Sequence, residues 1–181
     1  MQQKGVIIIK LIFFGMIFVF LNFEINLGNI SVGLIPSFLG YFFMYKGLLE
    51  LMNYNSYFER LMAFVRGMII YTAILYLVDL LGIMPYFAVP LLALISVGLA
   101  LYIAYNIIMG IKEIEASQNR NLNTQQLYFA WKLQAVFSFL PIVTGFLPLL
   151  AIAAIMLGFV VGVYFLYMFY NTMSLFYSVE Y

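Results

Sequence analysis

"LLAIAAIMLGFVVGVYFLYMFYN", residues 149–171, runs for 23 residues without a charged side chain. Coiled as an α-helix it would extend about 34 Å, enough to cross a hydrocarbon core of about 30 Å. The composition of the whole chain carries the same message. Of 181 residues, 66% are hydrophobic and 8% charged, against about 25% charged residues in an ordinary soluble domain. Eight Lys and Arg with seven Asp and Glu cannot cover the outside of a globule of this size, so much of the outside must face lipid.

Five further runs qualify as membrane helices. The set extends from Gly5 to Phe23, Leu34 to Met52, Leu61 to Met84, Phe87 to Ile111, Leu127 to Thr144 and Leu149 to Asn171. Long and short connections alternate between them. The sequence therefore predicts an all-α polytopic membrane protein, a single integral domain over residues 1–181 with six transmembrane helices as three antiparallel hairpins. The N-terminal "MQQKGVIIIKLIFFGMIFVFLNF" has the basic start and apolar run of a secretory signal, but no small-residue cleavage pattern follows, so it reads as a retained first helix. The stretch "NFEINLGNISVGLIPSFLGY", residues 22–41, reads as the outer connection of the first hairpin. Gly28 and Gly33 allow the turn, and Pro36 sits in the first turn of helix 2.

Charge sets the orientation. With six crossings, all eight basic residues, Lys4, Lys10, Lys46, Arg60, Arg66, Lys112, Arg120 and Lys132, fall on one side or in the adjoining helix ends. Glu24 and Asp79 lie near the other side. By the positive-inside rule both termini are cytoplasmic, in the cell membrane of the organism. Trp131, beside Lys132, fits an interfacial anchor.

Several function classes are excluded or disfavoured. A net charge of +1 and scattered basic residues leave no nucleic-acid footprint. The absence of Cys and His removes disulfides, Cys/His zinc sites, axial-His haem, thiol nucleophiles and His-based triads. There is no G-x-S-x-G elbow, P-loop or H-E-x-x-H motif. The sequence thus predicts no catalytic residue, no metal, no cofactor and no enzyme.

Charges and amides within apolar runs are the remaining candidates for a ligand site. Lys46 lies about 18 Å along helix 2, and Glu50 follows one turn later on the same face, so the two could neutralise each other. Asp79 is the one carboxylate in an apolar run on the outer side, with Tyr76 one turn earlier as a candidate hydrogen-bond donor. "LYIAYN" at 101–106 and "LYMFYN" at 166–171 share a pattern, and "YFFMYK" at 41–46 echoes it. If the hairpins are repeats, Lys46, Asn106 and Asn171 with Tyr45, Tyr105 and Tyr170 form one polar layer able to take a small polar or anionic ligand. The competing reading gives snorkelling cations for Lys10, Lys46 and Arg66, a helix-end carboxylate for Asp79, and an aromatic belt with hydrogen-bonding asparagines for the layer.

Small residues recur every four positions at Ser96, Ala100 and Ala104 in helix 4 and at Ala154, Gly158 and Gly162 in helix 6. Such stripes let helix backbones approach closely. They predict either central packing of these helices or a face for a second copy or a partner membrane subunit, with the lipid bilayer around the rest.

At "NFEINLGNISVGLIPSFLGYFFMYKGLLEL" the chain resembles a family of uncharacterised small multi-pass membrane proteins of Firmicutes-type bacteria. Members run Ile-Leu-Pro-Asp-x-Ile-Gly-Tyr into helix 2, and here Pro36, Gly40, Tyr41, Gly47 and Leu48 match. Asn22 and Ser37 stand where acids are usual. The resemblance implies a bacterial cytoplasmic membrane. In size and topology the chain is also similar to the substrate-capturing subunits of vitamin-uptake transporters. The expected function is therefore small-molecule binding or transport, with a non-catalytic structural, assembly or regulatory membrane protein as the alternative.

Overall fold

A computed structural model describes the backbone of residues 2–21, 24–27, 30–33, 36–52, 55–83, 85, 88–144 and 148–178. Six helices dominate it: α1 (Gln2–Phe20), α2 (Ser37–Leu51), α3 (Ser56–Leu80), α4 (Val89–Ser117), α5 (Thr124–Thr144) and α6 (Pro148–Ser178). Two compact units result, Met1–Asn106 and Ile107–Tyr181, and the division falls inside α4.

The helical class agrees with the sequence reading, but the number of clear spans does not. Among the described residues three helical segments are long and apolar enough to cross a membrane: Phe58–Leu80, Val89–Ser117 and Ile152–Phe176. Their apolar windows are only 28%, 39% and 33% buried inside the chain, so most of their apolar surface is left for lipid. The other helices fall short for separate reasons. α2 has 15 residues, about 22 Å, because Pro36 precedes it in an extended conformation and the polar 53–55 stretch follows. α5 mixes Gln125, Gln126, Lys132 and Gln134 into its 21 residues and contains Pro141. In α1 the described apolar part is Leu11–Phe20.

The connection between α1 and α2 is a second correction. Where the sequence reading has a simple turn, the chain forms an antiparallel hairpin of β1 (Glu24–Leu27) and β2 (Ile30–Gly33). Glu24 pairs with Gly33, Ile25 with Val32, Asn26 with Ser31 and Leu27 with Ile30. Gly33 is therefore part of a strand, and Pro36 precedes α2 without entering its first turn.

Within the first unit α1 and α2 pack backbone to backbone. A Cβ at Gly15 would lie 2.6 Å from the Gly40 carbonyl oxygen, and one at Gly40 would lie 2.9 Å from the Gly15 carbonyl oxygen. Gly47, two turns after Gly40, makes room for the Ile12 side chain, whose Cγ1 and Cδ1 a Cβ there would meet first. This close van der Waals approach of the two backbones, which glycine alone permits, holds the pair together. Ile12, Met16, Tyr41, Met44, Leu48 and Leu51 are buried around it, and Phe18 meets Phe43 edge-on with ring centroids 5.6 Å apart. α2 in turn packs on α3, with Phe38 against Tyr76 at 5.8 Å.

In the second unit α5 packs on α6, with Gly158 of α6 against the Phe137 carbonyl, 3.6 Å from where a Cβ would stand. Ala154 and Gly162, from the same stripe, are buried. On α4, Ala100 and Ala104 are buried as well. Both stripes thus have buried members within this one chain.

The helix ends are closed by local chemistry. α3 ends in a Schellman motif: Gly82 takes φ 65°, its N–H reaches the Asp79 carbonyl at 2.9 Å, and the Ile83 N–H reaches the Val78 carbonyl at 3.3 Å. α4 ends in the same motif with Asn119 at φ 51°, whose successor Arg120 donates its N–H to the Glu115 carbonyl at 3.1 Å. Pro148 opens α6 at the first helical position, where a missing N–H is not needed.

Candidate functional site

Three cations within or beside apolar segments each cover an aromatic ring. The Lys46 ammonium lies 4.9 Å from the centre of Phe42, one turn earlier on α2. Arg66 lies 5.1 Å from the Tyr45 ring and donates from Nη2 to its hydroxyl at 2.7 Å. Lys132 lies 4.5 Å from Tyr128, which stacks on Trp131 at 5.7 Å and 8°. A ring face offers a cation attraction without the desolvation that a buried carboxylate pair demands, worth about 0.5–1 kcal/mol at exposed sites. The Tyr128, Trp131 and Lys132 cluster also has the composition of an interfacial anchor. Tyr45→Phe keeps the ring but removes the acceptor for Arg66. It is expected to cost about 1 kcal/mol, read as a small fall in thermal midpoint in detergent, and Tyr45→Ala more.

The sequence-predicted pairings are not made. Lys46 and Glu50 are both exposed and do not form an ion pair; the lysine goes to Phe42 instead. Tyr76 does not bond Asp79, because its ring is taken up by Phe38. Asp79 is half-buried in the last turn of α3, next to the Schellman carbonyls, the unfavourable end of a helix for a negative charge. Asn106 turns back on its own helix, its amide nitrogen donating to the Tyr102 carbonyl at 2.7 Å. Asn171 is half-buried on α6, in the other unit. The side chains of Lys4, Lys10 and Glu24, and all of Asn22 and Asn29, lie outside the described residues.

What the first unit does bring together is a recess between α3 and α4. It holds about 210 Å³ and is lined by Arg60, Leu61, Phe64, Tyr102 and Asn106. The two helices are registered there by an edge-on contact of Phe64 with Tyr102, centroids 5.3 Å apart. One and a half to two turns further along, Tyr71 donates its hydroxyl to the Leu92 carbonyl at 3.2 Å, and Ser96 lies 3.4 Å from the same hydroxyl. Arg60 is exposed and makes no hydrogen bond or ion pair with a described residue. Of these lining residues sequence reasoning had singled out Asn106 as a ligand candidate. In the sequence Arg60 is one of the eight basic residues that set the orientation, because nothing there pairs residue 60 with residue 106.

Among the described residues, deeper polar groups form no second site. Tyr41 is buried in the core of the first unit. In the second unit Gln134 Oε1 and Thr172 Oγ1 are buried without a partner among the described groups. Gly158 faces Phe137, so an antiparallel register puts Gln134 level with about residue 161, about 16 Å from Thr172 along α6. They cannot share one small ligand. Among the described residues no group of three or more His, Cys, Asp or Glu could hold a metal ion. In comparisons with known proteins, the chain matches no family model, no curated protein and no solved structure.

Proposed function

We propose that the protein is a multi-pass membrane protein of a bacterial cytoplasmic membrane that binds a small molecule, by itself or as the binding subunit of a transporter, and is not an enzyme. In this reading all six helices cross as three antiparallel hairpins and both termini are cytoplasmic. The α3 and α4 pair supports the orientation: Arg60 and Arg66 lie in the half of α3 that meets Tyr102 and Asn106, and Asp79 lies at the opposite end. One observation carries the binding role. The recess beside Asn106 sets a guanidinium with no partner among the described residues, a phenol and an amide around an opening large enough for a small polar group.

A second reading, a non-catalytic structural or assembly protein, has its own support on α6. Leu149, Ile152, Met156, Val160, Val163, Tyr167 and Tyr170 form a continuous exposed stripe, from 45% to 83% accessible, that suits either lipid or a partner helix.

The chain has no cysteine, so single-cysteine labelling tests the topology cleanly. In right-side-out spheroplasts Ile83→Cys is expected to react with a membrane-impermeant maleimide, and Gln118→Cys only after the membrane is opened. Reaction of both from outside overturns the six-crossing arrangement. For the binding role, mass spectrometry of a solvent extract of the purified protein is expected to find a compound at close to one per chain. Its loss is expected in Arg60→Gln. A clean extract from wild-type protein favours the second reading.

A further inference from the structure

The geometry points to an anionic phospholipid as the ligand of the recess, with its phosphate at Arg60, Tyr102 and Asn106 and one acyl chain lying in a slot between α3 and α4. The inference rests on the binding role proposed above and names the ligand class.

The polar end comes first. Arg60 presents five donors with no protein acceptor among described residues, and a guanidinium fork matches two phosphate oxygens at once. Glu59 is next in sequence, but one residue turns about 100° around the helix, so it sits on a different face. The Asn106 amide is fixed by its bond to the Tyr102 carbonyl, which leaves its second N–H as a donor. The Tyr102 ring is held edge-on by Phe64, and its hydroxyl is a third donor at the same opening. A volume of about 210 Å³ corresponds to about seven waters of liquid, enough for a phosphate and glycerol but not for a whole lipid.

The apolar end continues from it. Phe64 and Tyr102 are each nearly half exposed. Helical spacing places Gly67 next along α3 and Gly98 next along α4, on the sides turned toward each other, and a Cβ at either would meet no atom within 4 Å. The Tyr71 bond to Leu92 closes this open stretch at its far end, about 10 Å from Phe64 along the axis. Exposed Ile74 and Leu77 continue the apolar surface of α3 past that point. The result is a cationic, hydrogen-bonding mouth two residues inside the apolar segment that begins at Phe58, followed along α3 and α4 by open space at Gly67 and Gly98. A free phosphate would use only the mouth; phosphatidylcholine would bring the same phosphate together with a quaternary ammonium that the Arg60 guanidinium repels. Basic sites between helices at the cytoplasmic face favour anionic head groups for this reason.

The test uses the full chain purified in a neutral detergent. Phosphatidylglycerol, phosphatidylcholine and inorganic phosphate are each added, with thermal midpoint and native mass spectrometry as readouts. Phosphatidylglycerol is expected to raise the midpoint by several degrees and remain bound at one per chain, and the other two are not. Arg60→Gln is expected to weaken its binding at least fivefold, and Lys112→Gln to leave it unchanged. Gly98→Leu, which fills the slot, is expected to abolish retention. Gly98→Ala, whose methyl meets no atom, keeps the fold as a milder test and is expected to weaken retention. Equal stabilisation by phosphatidylcholine, or by inorganic phosphate alone, overturns the inference, as does unchanged binding in Arg60→Gln. A wild-type extract that carries a different compound at one per chain overturns the lipid assignment and leaves the binding role standing.

Discussion

Gly40→Val is expected to remove most of the folded protein from the membrane. The substitution puts a branched side chain where a single carbon would already stand 2.9 Å from the Gly15 carbonyl oxygen and equally close to Phe18 Cβ. Neither neighbour is the loose end of a flexible side chain, so α1 and α2 must separate. Overpacking of a core costs about 1–3 kcal/mol even where side chains can adjust. Here a backbone must move and the buried contacts of Ile12, Met16 and Met44 are lost with it, so the cost should exceed about 3 kcal/mol, a large part of a typical 5–15 kcal/mol stability. The measurement is the monodisperse fraction on size-exclusion chromatography after extraction, together with the thermal midpoint of what survives. Gly67→Ala is the matched control: its added carbon meets no atom within 4 Å, and replacing a helical glycine removes about 0.5–1 kcal/mol of backbone cost, so its midpoint should hold or rise. If Gly40→Val behaves like Gly67→Ala, the backbone contact between α1 and α2 is wrong.

Glu115→Ala is expected to give the second largest loss, localised to the turn between α4 and α5. The Glu115 carboxylate accepts the Leu122 N–H at 2.9 Å and also the Thr124 hydroxyl. Leu122 and Thr124 are 1% and 3% accessible, so neither can replace the lost acceptor with water. Hydrogen bonds to a charged group are worth about 1.5–3 kcal/mol each, and a total near 3 kcal/mol corresponds to roughly 6–12 °C in midpoint for a chain of this size. Glu115→Gln retains one carbonyl acceptor and should fall between wild type and alanine. Limited proteolysis supplies the local readout, with cleavage between residues 118 and 123 rising in the order wild type, glutamine, alanine. An unchanged midpoint and digestion pattern in Glu115→Ala would remove the carboxylate from its role as the clasp of this turn.

Much of the fold is legible in the sequence because lipid imposes a coarse rule. Long uncharged runs become helices, and α3, α4 and α6 fall where the hydropathy places them. Their ends are less legible. α4 continues to Ser117 and α6 to Ser178, beyond the Ile111 and Asn171 expected, because hydropathy reports where an apolar run stops, and a helix persists until a cap such as Asn119 ends it. The β-hairpin is invisible to a window of about 20 residues, although the alternation of Ile25, Leu27, Ile30 and Val32 with polar neighbours is the strand period. Gly40 and Gly47 stand seven apart, as visible as the stripes on α4 and α6, but only a known partner helix gives them meaning. The same holds for the recess: Arg60 and Asn106 become neighbours through the pairing of α3 with α4, which no local pattern encodes.

The hairpin has a consequence for how deep α2 sits. A ribbon of two strands always has two outer edges whose backbone groups find no partner in it, and such edges are not tolerated among lipid tails. In a chain that spans the membrane as proposed above, the ribbon would ride at the water surface and hold the first turn of α2 there. In the six-crossing arrangement proposed above, a helix of about 22 Å hung from that level ends about 8 Å short of the far side of a core of about 30 Å. Such hydrophobic mismatch is met by thinning of the bilayer beside the short helix. Water and head groups then rise toward its lower end, which is where Lys46 and Glu50 stand exposed.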